Sequence, residues 1–289
     1  MNDELLQQME TVQTLIKNNV AGLFGGNHRT RTYGSSSEFA DYRDYLEGDD
    51  TSKIDWNVYA RTEKLYMKLF LDERQMHTKI YIDASRSMTF EDAKKAKCAL
   101  QIAATYAYIS INEMDKVSVY AIKGNAVELI LGPIVGKEAF MSEISKLDNI
   151  VFDGDAGISE AIIPTSVGYG DGMSVIISDF LTDSNYEDAI DHLAGKRRDV
   201  LCIQLLTEEE MSPSARGKMH FFDSEDGAKF YRKNIDREIA RAYLRALEYS
   251  TDRIKNYCAA RGADYVLAMA EEPVSKIFLE KLVNMGVIK

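Results

Sequence analysis

The chain is 289 residues long, 45% hydrophobic and 28% charged, and its 35 lysines and arginines against 46 aspartates and glutamates leave a formal net charge of −11. This length and apolar fraction build a sizeable core without disulfide staples and exclude disordered or collagen-like chains. A pI near 5.0 argues against nucleic acid as a partner, since sequence-independent binding needs an excess of cations over the phosphates, and favours a basic, metal-bearing or protein partner.

Cys98, Cys202 and Cys258 are far apart, odd in number and form no C-x-x-C pair, which reads as reduced core residues. His28, His77, His192 and His220 lack the spacing of metal ligands. The opening residues are acidic and amphipathic, and no run approaches the roughly 20 apolar residues of a membrane span. A cytoplasmic location without direct membrane insertion is therefore expected.

In chain order, Leu5, Leu6, Met9, Val12, Leu15, Ile16 and Val20 recur at three- and four-residue steps, one face of a helix. Residues 22–37 pile up Gly, Ser, Thr, Asn and Arg without a period, marking a long loop. Between Asp41 and Arg61 come alternating charges, Tyr42, Tyr45, Trp56 and Tyr59, and the turn Gly48-Asp49-Asp50; so many aromatics argue for order. Two strand-like runs follow, LYMKLFL and TKIYI, the second ending at Asp83. Ala93, Ala96, Leu100, Ala103, Ala104, Ala107 and Ile111 then form a helical stripe. VSVYAI and AVELIL read as a strand pair around Lys123-Gly124-Asn125, Glu138 to Leu147 as a helix, MSVIIS as a buried strand, Tyr186 to Ala194 as a helix, and VLCIQLL as another buried strand. KMHFFDSEDGAKFYR reads as a hairpin turning at Asp226-Gly227. Ile235, Ile239, Tyr243, Leu247, Ile254 and Cys258 mark a long amphipathic helix closed by Gly262, and a strand DYVLAM with a helix entered at Pro273 ends the chain.

Alternating strands and helices, with near-continuous apolar strands, predict an α/β fold: a doubly wound, mostly parallel sheet with helices on both faces. Residues 1–75 are expected to form an N-terminal helix and extension, and residues 76–289 the α/β domain. In such folds ligands gather at the carboxyl ends of the strands. Two strand ends carry chemistry. After TKIYI comes Asp83-Ala84-Ser85-Arg86-Ser87, a D-x-S-x-S pattern, and after MSVIIS comes Asp179. Two serine hydroxyls can ligate a hard cation such as Mg²⁺ or Mn²⁺, while Asp83 and Asp179 hold it through water or hydroxyl hydrogen bonds. Neutral direct ligands leave the ion an appetite for a further anionic oxygen, such as a carboxylate of another protein. The plainer alternative has Asp83 and Ser85 capping the helix that follows, as both are favoured N-cap residues.

Asp83, Ser85, Ser87 and Asp179 resemble four of the five positions of a metal-ion-dependent adhesion site in a von Willebrand factor A-like, Rossmann-type domain. That family places a Thr on an intermediate loop in a G-x-T-x-L setting; the matching stretch here is Gly154-Asp155-Ala156-Gly157-Ile158, with Ala156 at the Thr position. Asp153, Asp155 or Ser159 would have to supply the missing oxygen. Upstream, Arg43, Tyr45, Gly48-Asp49, Ile54-Asp55-Trp56, Ala60-Arg61, Leu65 and Lys68 stand in the order R-x-Y-x-x-G-D, I-D-W, A-R. This pattern, with the downstream site, is similar to the bacterial family called domain of unknown function fifty-eight. The resemblance implies a partner role beside MoxR-type AAA+ ATPases, often with a membrane-anchored protein.

The upstream residues also have a structural reading, in which Arg43 and Arg61 pair with Asp49 and Asp55 as a polar clasp and Trp56 is its apolar anchor. As a partner-docking surface they would act with the GGNHRTR stretch, where His28, Arg29 and Arg31 suit an acidic partner. The run Gly132-Pro-Ile-Val-Gly136-Lys137 is one residue short of a phosphate loop and reads as a turn opening a helix. No G-x-G-x-x-G or G-x-S-x-G motif is present. The function expected is a non-enzymatic interaction module gripping a partner's acidic residue through a divalent ion. A degenerate metal-free module, best supported by Ala156, and a metal-dependent phosphohydrolase using Asp83 as nucleophile are the alternatives.

Overall fold

The computed structural model describes residues 3–23, 39–70, 75–170, 172–182, 185–213, 217–222, 230–235 and 237–288. They fall into two compact units, one of residues 1–17 with 76–288 and one of residues 18–75. The chain begins with helix α1 (Asp3–Leu23), whose Met9, Val12 and Ile16 are buried as their spacing predicts. Glu10 on its other side meets Lys137 at 3.1 Å.

The smaller unit holds strand β1 (Phe39–Asp44), a 3₁₀ turn at residues 51–53, helix α2 (Trp56–Thr62) and strand β2 (Tyr66–Phe70). β1 and β2 pair antiparallel, from Tyr42↔Lys68 to Asp44↔Tyr66. Charges alternating with aromatics between Asp41 and Arg61 thus conceal a strand and a helix that periodicity did not separate. Asp55 starts α2: its carboxylate accepts the amides of Asn57 and Val58, two of the donors a helix start leaves unpaired.

The larger unit continues with β3 (His77–Asp83), α3 (Phe90–Asn112), β4 (Lys116–Lys123), β5 (Ala126–Ile134), α4 (Lys137–Glu143), α5 (Ile158–Ile162), β6 (Met173–Ser178), α6 (Glu187–Gly195), β7 (Asp199–Leu206) and the single turn α7 (Glu208–Met211). Then come β8 (Gly217–Phe222), β9 (Phe230–Ile235), α8 (Arg237–Ala260), β10 (Asp264–Met269) and α9 (Val274–Lys276), which runs into a π-helical turn to Val283. β8 and β9 pair as the hairpin expected; Asp226-Gly227 lies outside the described residues. Ile235, read as the start of the long helix, ends β9 instead. Gly132 to Ile134, read as part of a turn, complete β5, and Gly136 at φ +88° opens α4. Gly262, at φ +67°, terminates α8 as predicted.

The main sheet has the order β10-β7-β6-β3-β4-β5, parallel throughout except for β5. Renumbered within the sheet this is 3-2-1-4-5-6, the doubly wound order, whose switch point falls between β3 and β6. On one face Tyr81, Ile176 and Cys202 pack with Ala161, Ile162, Ile190, Leu193, Ile254 and Cys258 from α5, α6 and α8. The other face is covered by α3, which lies against β3, β4, β6 and β7 and buries Ala99, Ala103, Ala104 and Ala107. Such small side chains let the helix sit close to the strands. Ile80, Ile82, Val175 and Ile177 are fully buried, each contributing about 1.5–3 kcal/mol, and they hold β3 and β6 side by side where the chemistry-bearing residues emerge. Among the described residues no helix is long and apolar enough to cross a membrane.

Candidate functional site

β3 and β6 pair in parallel from Lys79↔Ser174 to Ile82↔Ile177, so Asp83 and Asp179 leave neighbouring strands at the same edge. Asp83 is 2% exposed. Its Oδ1 accepts the Ser85 amide at 2.8 Å, bending the chain back, and its Oδ2 accepts the Ser178 hydroxyl at 2.6 Å. Ser178 Oγ in turn accepts the Phe180 amide at 2.9 Å. The Ser85 and Ser87 hydroxyls lie 3.0 Å apart, Ser85 buried and Ser87 half-buried. Neither Asp83 nor Ser85 caps α3: Thr89 occupies its N-cap position, without a side-chain bond. Ser85 does stand at the N-cap position of the 3₁₀ turn Arg86–Thr89 that leads into α3, but its side chain makes no cap bond there.

Asp179, 1% exposed, accepts the Leu181 amide at 3.0 Å through Oδ1. Its Oδ2 accepts Lys95 Nζ at 2.8 Å, and the same ammonium donates to Glu210 Oε1 at 2.6 Å. Lys95 is 1% exposed. Burial alone would lower its pKa, but Asp179 and Glu210 outweigh that and hold it raised. Asp83, by contrast, has no cationic partner among the described residues, and burial first, then the charge of Asp179, pushes its carboxyl above the ordinary range. Sequence reasoning missed Lys95 and Glu210. The available signal was a cation on an apolar face: Lys95 stands four and seven residues before the buried Ala99 and Ile102.

The loop at residues 153–157 lies against these strand ends. The Arg86 amide donates to Gly154 O at 2.9 Å, the Asp153 amide to Ala84 O at 2.9 Å and the Gly124 amide to Asp155 O at 3.0 Å. A Cβ at Gly157 would meet the side-chain ends of Asn125 and Glu160, which can swing aside. Ala156 is buried and bridges Gly124. Of the oxygens expected to replace the missing Thr hydroxyl, Asp153 is held by Arg86 at 2.5 Å and Ser159 Oγ accepts the Ala189 amide at 2.9 Å; Asp155 is exposed.

The resemblance read from the sequence implies a divalent cation here, and Ser85 and Ser87 are spaced as two of its ligands would be. Two neighbouring octahedral ligands about 2.1 Å from Mg²⁺ stand about 3 Å apart, the separation that a hydroxyl hydrogen bond also gives Ser85 and Ser87. Asp83 is a buried carboxylate without a counter-charge, a costly state that a cation relieves. Such a site would be built on hydroxyls, for among the described residues no three His, Cys, Asp or Glu lie together as metal ligands.

In the smaller unit, Arg43 pairs with Asp49 at 2.9 Å. Asp55 accepts the Tyr42 hydroxyl at 2.8 Å and lies 3.2 Å from Lys68; the Tyr42 bond leads in holding its pKa down at about 2. Arg61 instead donates to Asn57 O at 3.2 Å. Trp56, expected as an apolar anchor, is 59% exposed and meets Tyr59 edge-on, because capping by Asp55 fixes where α2 starts and so where its first side chain projects. His28, Arg29 and Arg31 lie outside the described residues.

The chain is similar to the uncharacterized proteins Rv1480 of Mycobacterium tuberculosis strain H37Rv and Mb1516 of Mycobacterium bovis, each 26% identical over 229 residues that cover 78% of this chain and 72% of the relative. Among solved structures it is similar to the SpRpn10 VWA domain, with a TM-score of 0.41 and 10% identity over 75% of this chain and 100% of that one. It is also similar to the pilus adhesin SpaC from Lactobacillus rhamnosus GG, with a TM-score of 0.33 and 9% identity over 74% of this chain and 31% of that one. The family described as Protein of unknown function DUF58 matches residues 41–253, well over half of the 289, and the chain belongs to that family.

Proposed function

We propose that this protein is a non-enzymatic interaction module that grips an acidic side chain of a partner at the β3–β6 strand ends, using Mg²⁺ or Mn²⁺ held by Ser85 and Ser87. The observation that carries this reading is the pair of serine hydroxyls 3.0 Å apart beside a buried Asp83 that lacks a cationic partner among the described residues. Asp83 orients the Ser85 backbone, Ser178 holds Asp83, and the stacked amide bonds from residues 153–157 fix the loop around them. When bound, the ion would supply an electrophilic contact for a carboxylate, since its direct protein ligands carry no charge.

The partner we propose is a MoxR-type AAA+ ATPase, with a membrane-anchored protein in the same assembly and a cytoplasmic setting; this part rests on the family resemblance. The test is binding of this chain to a purified MoxR-type AAA+ ATPase, measured in Mg²⁺, in EDTA, and with Asp83→Asn. Loss of binding in EDTA and in the variant is expected. Equal affinity in all three would overturn the metal grip and leave the metal-free module, a reading favoured by Ala156 and by the engagement of Asp179 with Lys95. The hydrolase alternative is disfavoured because both oxygens of Asp83 are occupied and a nucleophile needs one free and approachable. Turnover of a generic phosphate ester that disappears in Asp83→Ala would restore it.

A further inference from the structure

The two carboxylates at the crevice have unlike surroundings. Asp179 is tied on every side: Leu181 N on Oδ1, Lys95 Nζ on Oδ2, and Gln204 Nε2 on its carbonyl at 2.7 Å. Gln204 Oε1 accepts the Tyr265 hydroxyl at 2.6 Å, so the bracing reaches β10. Lys95 is tied as firmly, because Glu210, its second acceptor, is locked by the capping box of α7: Glu210 Oε2 accepts the Thr207 amide at 2.8 Å and the Glu210 amide donates to Thr207 Oγ1 at 3.2 Å. Asp83 has only neutral donors among the described residues. Among the described residues, Asp83, Asp179 and Glu210 face Lys95 alone, which leaves the Asp83 side negative.

We propose that Lys95 is the resident counter-cation of this crevice, a positioning residue that neutralises Asp179 and sets the affinity for a divalent ion low, so that a partner's carboxylate is needed to complete tight binding. This rests on the divalent-ion reading above. A buried ammonium repels an incoming dication, and in an interior of low effective dielectric such repulsion is screened far less than in water. A weakly held, exchangeable ion suits a module that must release its partner.

The test is a Mn²⁺ titration of the full chain without any partner, read from the electron paramagnetic resonance signal of the free aqua ion. Lys95→Met is expected to bind Mn²⁺ about tenfold or more tighter than the wild type, because it frees two carboxylates and removes a positive charge. Lys95→Arg keeps the charge and is expected to stay within about threefold of the wild type. Glu210→Gln, which leaves the ammonium less compensated, is expected to weaken Mn²⁺ binding by about threefold or more, and it decides the matter if Lys95→Met does not fold. Unchanged affinity in Lys95→Met, or in Glu210→Gln, overturns the role given to Lys95 while leaving the ion site standing. Binding by Lys95→Met but not by the wild type supports Lys95 as the resident cation and overturns the metal grip. No Mn²⁺ binding by any of the proteins overturns both.

Discussion

Lys95→Met offers a stability experiment that needs no ligand. In the wild type the Lys95 and Asp179 side chains are 1% and 2% exposed and 2.8 Å apart. Removing the ammonium leaves Asp179 with one amide donor in place of two partners, and Glu210, at 11% exposure, with only its Thr207 contacts. Breaking a buried pair from one side costs about 3–5 kcal/mol. For a domain of this size each kcal/mol lowers Tm by about 2–4 °C, so the fall should be about 6–20 °C. The companion variant Lys95→Met/Asp179→Asn removes both charges; Asn keeps an acceptor for the Leu181 amide, and the residual cost falls on Glu210, which already accepts the Thr207 amide. It should recover about 2 kcal/mol of the loss, a coupling within the range seen for residues in contact. Circular dichroism melts of the wild type, both singles and the double at one pH close the cycle. A Lys95→Met protein melting within about 2 °C of the wild type, or a double variant as unstable as the sum of the singles, would refute the reasoning.

Ser159→Ala should cost about 1–3 kcal/mol, because the buried Ala189 amide in the first turn of α6 loses the Ser159 hydroxyl as its acceptor; a urea melt that does not shift would refute it. Gly172→Ala should be destabilising by about 1–3 kcal/mol, since its Cβ would stand 2.5 Å from Arg198 Nη1 and 2.6 Å from the His77 carbonyl, and the second is strand backbone that cannot swing away. Thermal melts of the purified variant read this directly. Burial pushes Asp115 up to about 6, against about 3.9 when unfolded. Its folded form therefore binds the proton more tightly, so its contribution is fully present below about pH 4 and is lost as pH rises through 6. Asp115→Asn should accordingly shrink the drop in urea midpoint between pH 4.5 and 7.5, and an unchanged drop would show that another group is responsible.

The apolar runs at β3, β6 and β7, the alanine stripe of α3 and the D-x-S-x-S turn were readable from sequence because each is a local signal. Burial on both faces makes a strand continuously apolar, a covered helix shows a 3.6-residue period, and a strand-end turn needs short polar side chains that bond their own backbone. The smaller unit was less legible. β1 and β2 are only six and five residues long, so neither carries an alternation strong enough to separate it from the charged loop around it. Trp56 read as an apolar anchor by residue type alone, yet type says nothing of which way α2 turns it.

Sequence alone thus determined the α/β class, the succession of the longer strands and helices in the larger unit, and the family pattern from Arg43 to Asp179. Only the tertiary structure decided that β5 lies at the edge of the sheet, that Ser178 rather than a helix amide takes Asp83, and that Lys95 rather than open crevice faces Asp179. Periodicity reports that a position is buried and a motif reports what a loop can bond within a few residues. Contacts across 84 and 95 residues are set by which strands become neighbours and where a helix crosses them, and no local pattern carries that information.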